Sequence, residues 1–312
     1  MARFPIRIAT RASPLALAQA EAVRDALAAA HGLGAEAFEI AAMRTTGDRI
    51  LDRPLAEAGG KGLFTKEIEE ALIDGRAELA VHSAKDLPTE LPPGLGLSAV
   101  LPREDPRDVF ISRVASSVDA LPRGALVGTA SLRRAALVKR LRPDIETVTL
   151  RGNVQTRLAK LDAGEVQATL LANAGLRRLG MEEVATAILD VDSFPPAVGQ
   201  GVIAVETRNG DGETNALVDR INHLASWAAL NCERAFLAVL DGSCRTPIAG
   251  HAQVAAGEID FHGLVVSPDG RTAHEARRTG AAAEAAAIGA DAGAEVLAAA
   301  GPDFMASLTD PT

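Results

Sequence analysis

A cationic segment lies between residues 127 and 180, which carry ten Lys or Arg residues against four Asp or Glu residues. The local balance is +6, whereas the whole chain of 312 residues has a formal net charge of −9. Because crowded Lys and Arg side chains repel one another, such a segment in an acidic protein is typical of an anion-binding surface. The sequence therefore predicts an anionic ligand.

Three predicted helix starts combine capping residues with arginines. They hold, in chain order, Arg11 and Ser13; Thr129, Ser131, Arg133 and Arg134; and Arg151, Gly152 and Arg157. Free N–H groups at a helix start, together with guanidinium groups, suit a carboxylate or a phosphate. The alternative is ordinary caps and surface arginines, but three such sites at successive strand ends favour a ligand. Since neither Gly-x-x-x-x-Gly-Lys-Ser/Thr nor Gly-x-Gly-x-x-Gly occurs, carboxylates are the better prediction.

Residues 79–88 form an apolar strand pattern that ends in a polar cluster containing Asp86. A carboxylate at a strand end could stabilise a developing cation or move a proton. The alternative is a turn or capping aspartate, because Asp is favoured in turns. We interpret the nearby His82 as a packed or hydrogen-bonded strand residue rather than a catalytic one.

Two cysteines and a glycine-rich segment are further candidates. Cys244 lies in a Gly/Ser loop beside Arg245, whose charge favours a thiolate, so it is either a nucleophile or attachment point or an inert small residue. Cys232 fits a helical pattern and is interpreted as inert. Residues 58–64 place three glycines beside Lys61 and Phe64, which predicts either a mobile lid or a plain connection before a helix.

The element pattern predicts how these residues are positioned. Short β-branched runs alternate with Ala/Leu-rich helical patterns through the first two thirds of the chain, which indicates an α/β fold with mostly parallel sheets. Proline-bearing segments at residues 101–106 and 194–198 predict two crossings between two α/β lobes, with a cleft between the lobes. From residue 225, a helix, two strand patterns and an alanine-rich helix over residues 281–300 predict a small α+β C-terminal domain.

We therefore expect three domains. The first is discontinuous and comprises residues 1–101 and 201–219, the second residues 106–195, and the third residues 224–312, which carry the Cys244 loop.

Composition argues against several classes of protein. No run reaches the roughly 18 apolar residues of a membrane span, and the first residues lack the apolar core of a signal peptide. A cytoplasmic protein with reduced thiols is therefore expected. Aromatic residues make up only 3% of the chain and tyrosine is absent, which argues against a protein that binds single-stranded nucleic acid by stacking bases on aromatic side chains.

Taken together, the motifs resemble those of the porphobilinogen deaminase family. They extend through nearly the whole chain and comprise Ile8-Ala-Thr-Arg-Ala-Ser-Pro-Leu-Ala, Thr46-Gly-Asp, Gly59-Gly-Lys-Gly-Leu-Phe, Val81-His-Ser-Ala-Lys-Asp-Leu-Pro, Arg103-Glu-Asp-Pro-Arg-Asp, Gly128-Thr-Ala-Ser-Leu-Arg-Arg, Leu150-Arg-Gly-Asn-Val, Pro196-Ala-Val-Gly-Gln-Gly and the Cys244 loop. One departure is Ser243, where a glycine commonly precedes the attachment cysteine.

The resemblance implies a three-domain enzyme whose first two domains are similar to periplasmic-binding-protein lobes. It implies a dipyrromethane cofactor held through a thioether, here to Cys244. Four porphobilinogen molecules are joined head to tail, ammonia leaves at each addition, and water frees the linear tetrapyrrole hydroxymethylbilane. No metal or nucleotide is implied, and we expect a monomer.

The resemblance also implies residue roles. Asp86 is expected to hydrogen-bond pyrrole N–H groups and to stabilise the cation left when ammonia departs. Cofactor-binding residues are expected to be Cys244, Ser83, Lys85, Asp86, Thr129, Ser131, Arg133, Arg134, Arg151 and Gly152. Substrate-binding residues are expected to be Arg11, Ser13, Lys61, Phe64, Arg157, Arg178 and Gln200.

Two other classes remain open from the residues alone. A non-catalytic binding module for a carboxylated ligand explains the arginines but gives Asp86 and Cys244 no task. A nucleic-acid-binding regulator is supported only by the basic segment.

Overall fold

The computed structural model describes residues 5–49, 64–240 and 246–309. The chain divides into two compact units, Met1–Glu104 with Gly201–Trp227 and Asp105–Gln200 with Ala228–Thr312. The divisions near residues 104 and 200 lie beside the two predicted crossings. The finer division of the second unit into two domains stays a prediction.

The first unit is built around one five-stranded sheet. Its elements are β1 (Ile6–Arg11), α1 (Pro14–His31), β2 (Phe38–Met43), α2 (Thr46–Arg49), α3 (Lys66–Ile73), β3 (Leu79–Ser83), β4 (Leu95–Val100), β10 (Ile203–Arg208) and α7 (Gly212–Asp219). The strand order is β2-β1-β3-β10-β4, with β1 parallel to β2 and β3, and with β10 antiparallel to β3 and β4. Fully buried Ile8, Leu27 and Val205 belong to its core.

The second unit contains the other two sheets. Its elements are β5 (Asp108–Ser112), β6 (Leu126–Gly128), α4 (Leu132–Leu141), β7 (Glu146–Val148), α5 (Val154–Asp162), β8 (Ala168–Ala172), α6 (Asn173–Arg178), β9 (Ala187–Ile188), α8 (Leu224–Val239, which begins in the first unit), β11 (Ile248–Ala255), β12 (Glu258–Val266), β13 (Ala273–Ala281) and α9 (Ala285–Thr309). One sheet has the order β7-β6-β8-β5-β9 and the other β11-β12-β13. Ala249 and Leu264 of the smaller sheet pack into the same apolar cluster as Phe110 of the larger one.

The predicted α/β class with a small α+β C-terminal portion is confirmed, and the two larger sheets are mixed. In the larger sheet of the second unit, β6 is parallel to β7 and β8, whereas β5 is antiparallel to β8 and β9. Each of these two sheets therefore has two parallel and two antiparallel strand pairs rather than the expected parallel majority, because β5 and β10 run against their neighbours.

The predicted helix over residues 281–300 is wrong at its start. Residue 281 ends β13, a short 3₁₀ turn follows, and α9 begins at Ala285. Pairing of β13 with β12 along its length outweighs the local helix propensity of alanine. The helix continues past residue 300 with a break at Gly301, which has φ 74° and precedes Pro302. Within the described residues, no helix has the length and apolar character that crossing a membrane requires.

Candidate active-site residues

A cluster of three predicted site residues lies at the strand ends of the first unit. Arg11 ends β1, and Asp86 ends the 3₁₀ turn that follows β3. Arg11 Nη1 lies 3.6 Å from Asp86 Oδ2, and the guanidinium carbon of Arg11 lies 4.3 Å from the ring centroid of Phe64. The side chains of Arg11 and Asp86 are 23% and 33% exposed, so a ligand can reach both. We call Arg11, Phe64 and Asp86 the Asp86 cluster.

The sheet order explains why these residues meet. Strands β1 and β3 are parallel neighbours, so their carboxyl ends lie at the same edge of the sheet. Buried Thr10 ties them together, because its hydroxyl lies 3.2 Å from the carbonyl oxygen of Val81 and donates to it.

The other described candidates of the first unit surround this edge. Ser13 caps α1 by accepting a hydrogen bond from the Ala16 amide at 3.3 Å. Ser83 exchanges hydrogen bonds with Gln19, at 2.9 Å from Gln19 Nε2 and 3.1 Å to Gln19 Oε1. Lys85 lies in the same turn as Asp86. Ser13 and Ser83 therefore organise the backbone and side chains behind the Asp86 cluster.

In the second unit, Arg133, Arg134 and Gln200 converge on one buried carboxylate. Arg133 Nη1 lies 2.8 Å from Asp108 Oδ2, and Arg134 Nη2 donates to Asp108 Oδ1 at 2.7 Å. Gln200 Nε2 donates to the same Oδ1 at 2.8 Å. Asp108 is fully buried, and both guanidinium groups are less than 8% exposed. We call these four residues the Asp108 cluster.

The carboxylate of Asp108 is held ionised by Arg133 and Arg134. Burial alone would raise the pKa of Asp108, but the positive charges and hydrogen bonds of Arg133 and Arg134 outweigh it and hold that pKa well below its usual range. Arg133 and Arg134 also donate to the carbonyl oxygens of Pro195 and Leu170. These contacts occupy part of each guanidinium fork, and Arg133 Nε is a buried donor without a hydrogen-bond partner among the described residues.

Two polar residues organise the helix start beside the Asp108 cluster. The Ser131 side chain caps α4 by accepting from the Arg134 amide at 3.4 Å. The Ser131 amide in turn donates to the Thr129 hydroxyl at 3.1 Å. Both residues therefore fix the direction in which the arginine pair leaves the helix.

The remaining arginines follow β7 and β8 in the second unit. Arg157 Nε donates to the carbonyl oxygen of Gly152 at 2.9 Å. Gly152 has φ 118°, and a Cβ there would lie 2.6 Å from Thr156 Cβ, so glycine is required. Arg151 and Arg178 are half-buried, and Arg178 ends α6. Arg151 and Gly152 thus follow β7, Arg157 lies in the first turn of α5, and Arg178 ends the helix that follows β8.

Two predicted residues, Lys61 and Cys244, lie outside the described residues. Cys232 is described and is fully buried in α8. Burial raises the pKa of its thiol to about 12, and the charge of Glu233 adds to the effect. This agrees with the interpretation of Cys232 as inert, because a nucleophile or attachment point reacts as the thiolate.

Sequence reasoning missed Asp108 as the common partner of the arginine pair. Its signal was present, since Asp108 ends the motif Arg103-Glu-Asp-Pro-Arg-Asp. Gln19 was also missed, because one glutamine on a buried helix face carries no pattern of its own. Within the described residues, no group of three or more His, Cys, Asp or Glu side chains is arranged to hold a metal ion.

Comparison with known proteins assigns the family. A profile described as "Porphobilinogen deaminase, dipyromethane cofactor binding domain" matches residues 6–216, and one described as "Porphobilinogen deaminase, C-terminal domain" matches residues 227–298. Proteins named porphobilinogen deaminase from Nitrobacter winogradskyi and Nitrobacter hamburgensis are 59% and 58% identical over 298 residues, covering 96% of this chain and 94% of each relative. A crystal structure of a putative methionine-binding lipoprotein from Bacillus subtilis aligns with a TM-score of 0.43 and 13% identity, covering 70% of this chain and 90% of that one. The two profiles and the two relatives show that the chain belongs to the porphobilinogen deaminase family.

Proposed function

We propose that this chain is a transferase that joins four porphobilinogen molecules head to tail on a covalently held dipyrromethane group and then releases hydroxymethylbilane by hydrolysis. Each addition breaks the C–N bond of a substrate aminomethyl group and forms a C–C bond to the free α-carbon of the preceding ring. Ammonia leaves, and the α-carbon loses its proton. Family membership and the accessible carboxylate of Asp86 support the proposal.

The single observation that carries the mechanism is the geometry of the Asp86 cluster. The Asp86 carboxylate is reachable and has Arg11 Nη1 at 3.6 Å, a distance longer than a hydrogen bond. Its oxygens can therefore accept hydrogen bonds from pyrrole N–H groups. When ammonia leaves a substrate, the ring becomes cationic, and the carboxylate stabilises that charge until the next α-carbon attacks.

Arg11 has a different task in this mechanism. Each porphobilinogen carries an acetate and a propionate group, and a guanidinium fork binds a carboxylate through charge-assisted hydrogen bonds worth about 1.5–3 kcal/mol each. Phe64 packs against the guanidinium and limits its orientations. We assign Arg11, Ser13, Lys61 and Phe64 to substrate binding, together with Arg157, Arg178 and Gln200 of the second unit.

The described residues of the second unit fit the dipyrromethane group. Its carboxylates require cationic donors, and Arg133 Nε is such a donor, buried and without a hydrogen-bond partner among the described residues. We assign Thr129, Ser131, Arg133, Arg134, Arg151 and Gly152, with Ser83, Lys85 and Asp86 of the first unit, to its binding. When bound, the group supplies the pyrrole α-carbon to which the first substrate is joined.

Attachment is assigned to Cys244. The other cysteine, Cys232, is fully buried, and its thiol pKa is raised to about 12, so it has almost no thiolate at neutral pH. Cytoplasmic location, a monomeric state and the absence of nucleic-acid partners complete the proposal, the last because the net charge is −9.

The test is intact mass under denaturing conditions, combined with porphobilinogen consumption. A mass excess of two linked pyrrole units on the Cys244 peptide, lost in Cys244→Ser and kept in Cys232→Ser, supports the assignment. If only Cys232→Ser lacks the pyrrole units, the attachment site is Cys232 and not Cys244. Porphobilinogen that is bound but never consumed by the loaded wild-type protein identifies a binding module instead.

A further inference from the structure

Three buried ionisable side chains of the first unit have no task in the proposed reaction. Glu69 of α3, His82 of β3 and Glu206 of β10 are 7%, 5% and 0% exposed. His82 Nε2 lies 3.0 Å from Glu206 Oε2. Ionisable groups are seldom enclosed in this way unless they are paired or have a specific role. We call these three residues the buried triad.

The sheet and one helix bring the triad together. Strands β3 and β10 are antiparallel neighbours in which His82 lies opposite Ala204, so Glu206 is its diagonal neighbour on the same face. Helix α3 packs against both strands and contributes Glu69. Burial raises the pKa of Glu69 and the charge of Glu206 raises it further, whereas Thr65 and His82 act in the opposite direction.

The charges of the triad do not balance when all three groups are ionised. Two carboxylates and one imidazolium leave a net charge of −1 in the core, where an uncompensated charge is costly. Glu69 Oε1, both carboxylate oxygens of Glu206 and His82 Nε2 are buried and have no hydrogen-bond partner among the described residues, so the 3.0 Å approach of His82 to Glu206 is a close contact without hydrogen-bond geometry. A proton on Glu69 removes the excess charge.

Among the described residues, the cations on the strands that pack against α3 are held by other groups. On β10, Arg208 donates to the carbonyl oxygens of Leu72 and Ala77 and to Asp211 Oδ2. On β1, Arg7 is paired with Glu78 at 2.7 Å, and Arg11 belongs to the Asp86 cluster. Strand β4 has the sequence LGLSAV and therefore no ionisable side chain. On α3 itself, Lys66 is exposed and lies 3.9 Å from Glu70.

The triad is linked, through Thr65 and along β3, to the segments that carry the Asp86 cluster. The Glu69 amide donates to the carbonyl oxygen of Thr65 at 2.8 Å, and the side chains of the two residues are hydrogen-bonded. Thr65 follows Phe64, which stacks on Arg11. His82 stands four positions before Asp86 on the same strand and turn. The triad therefore holds together the segments that present Phe64 and Asp86.

We propose that the buried triad positions the Asp86 cluster and that it does so with Glu69 protonated. Glu69, His82 and Glu206 are thus positioning residues, a role that rests on the proposed function because it assigns them to the same site. Ionisation of Glu69, as pH rises through its raised folded-state pKa, places a net negative charge between α3, β3 and β10. This loosens the contact of α3 with the sheet and displaces Phe64 and Asp86.

The first measurement is the melting temperature of wild type, Glu69→Gln and the matched control Glu70→Gln as a function of pH, without substrate. Because the folded-state pKa of Glu69 is raised, wild type loses stability as pH rises from the unfolded-state pKa through the folded one. Glu69→Gln lacks this loss. Its melting temperature relative to that of wild type therefore rises by about 2 °C or more between acidic and alkaline pH. Glu70 is 51% exposed, and its variant follows wild type.

The second measurement is the pH dependence of porphobilinogen turnover in the same proteins. The decline in turnover that wild type shows as pH rises through the folded-state pKa of Glu69 is reduced in Glu69→Gln and kept in Glu70→Gln. If the melting temperatures of wild type and Glu69→Gln change with pH by the same amount, Glu69 is not protonated in the triad. If the pH dependence of turnover is the same in both proteins, the triad does not position the Asp86 cluster. If Glu69→Gln does not fold, Glu69→Met provides the same comparison. If wild type consumes no porphobilinogen, the proposed function fails while the melting curves still test the triad.

Discussion

The two units place an aspartate beside arginine in opposite ways. Asp86 lies at a reachable strand end, 33% exposed, with Arg11 Nη1 at 3.6 Å. Asp108 is fully buried and contacts Arg133 and Arg134 at 2.8 and 2.7 Å. The same pair of residue types therefore leaves a carboxylate accessible to a ligand in one unit and buries it against two guanidinium groups in the other.

The comparison shows that burial, rather than residue type, separates a carboxylate that a ligand can reach from one that only stabilises the fold. A buried carboxylate needs neighbouring cations to remain ionised, and Asp108 is fully buried beside two of them, so a ligand cannot reach it. A reachable carboxylate is solvated without such cations, so the oxygens of Asp86 can accept hydrogen bonds from a ligand, whose donors we propose are pyrrole N–H groups. Each of the following predictions tests this difference.

The largest expected effect is on stability in Asp108→Asn. The substitution removes the negative charge between two buried guanidinium groups, which costs about 3–5 kcal/mol of unfolding free energy. Urea unfolding measures it. Asp86→Asn is the matched control and changes stability by less than about 1 kcal/mol, since its partner is more exposed. Equal losses in the two variants would contradict the comparison.

The second effect is on turnover in Asp86→Asn. Removing the carboxylate that stabilises the substrate cation lowers kcat by about 10²–10³-fold. Single-turnover kinetics on protein shown by mass to carry the pyrrole group measures the loss. Near-normal turnover in that variant would exclude the proposed role of Asp86.

A smaller effect is expected for Arg11→Lys. Lysine keeps the charge but loses the planar contact with Phe64 and the bidentate fork, so kcat/KM falls about tenfold. Arg24→Lys is the control, because Arg24 is paired with Asp25 on the outside of α1. A fall of the same size in both variants would mean that the guanidinium geometry of Arg11 has no special function.

The smallest effect concerns Asp105, next to the Asp108 cluster. Hydrogen bonds from Arg107 lower its pKa to about 2, with help from Asn173. Because the folded-state pKa is depressed, the stabilisation is present above the unfolded-state pKa and is lost as pH falls through the folded one. Arg107 is 44% exposed, so Arg107→Gln costs less than about 1 kcal/mol at neutral pH. The melting-temperature difference from wild type should disappear near pH 2, and a difference that persists there would show that Arg107 acts by packing.

The sequence selected Arg11 and Asp86 as candidate site residues because their signals are local, but it did not predict their contact with each other or with Phe64. Arg11 and Asp86 each follow an apolar strand pattern, and parallel strands place their carboxyl ends at one edge. The Asp108 cluster could not be predicted in the same way. Asp108 and Arg133 are separated by 25 residues, and only the order of β5, β8 and β6 brings them together.

The strand β13 shows a second limit of sequence reasoning. Its sequence AHEARRTGA has three alanines and no apolar alternation strong enough to predict a strand. Its conformation is set by nine pairings with β12, which are interactions between separate parts of the chain. Local propensity therefore predicted most helices and strands of this chain and failed where pairing with another strand determines the conformation.

The position of β10 has a consequence for synthesis of the chain. This strand lies between β3 and β4, yet it is encoded about 100 residues after β4. Until residue 208 has left the ribosome, β4 has no neighbour on that side, and the sheet of the first unit remains incomplete. The β7-β6-β8-β5-β9 sheet uses only residues 108–188 and can close earlier. The amino-terminal part of the first unit is thus made before the β7-β6-β8-β5-β9 sheet, but its own sheet is completed after that one. During that interval the exposed edge of β3 is open to pairing with other chains.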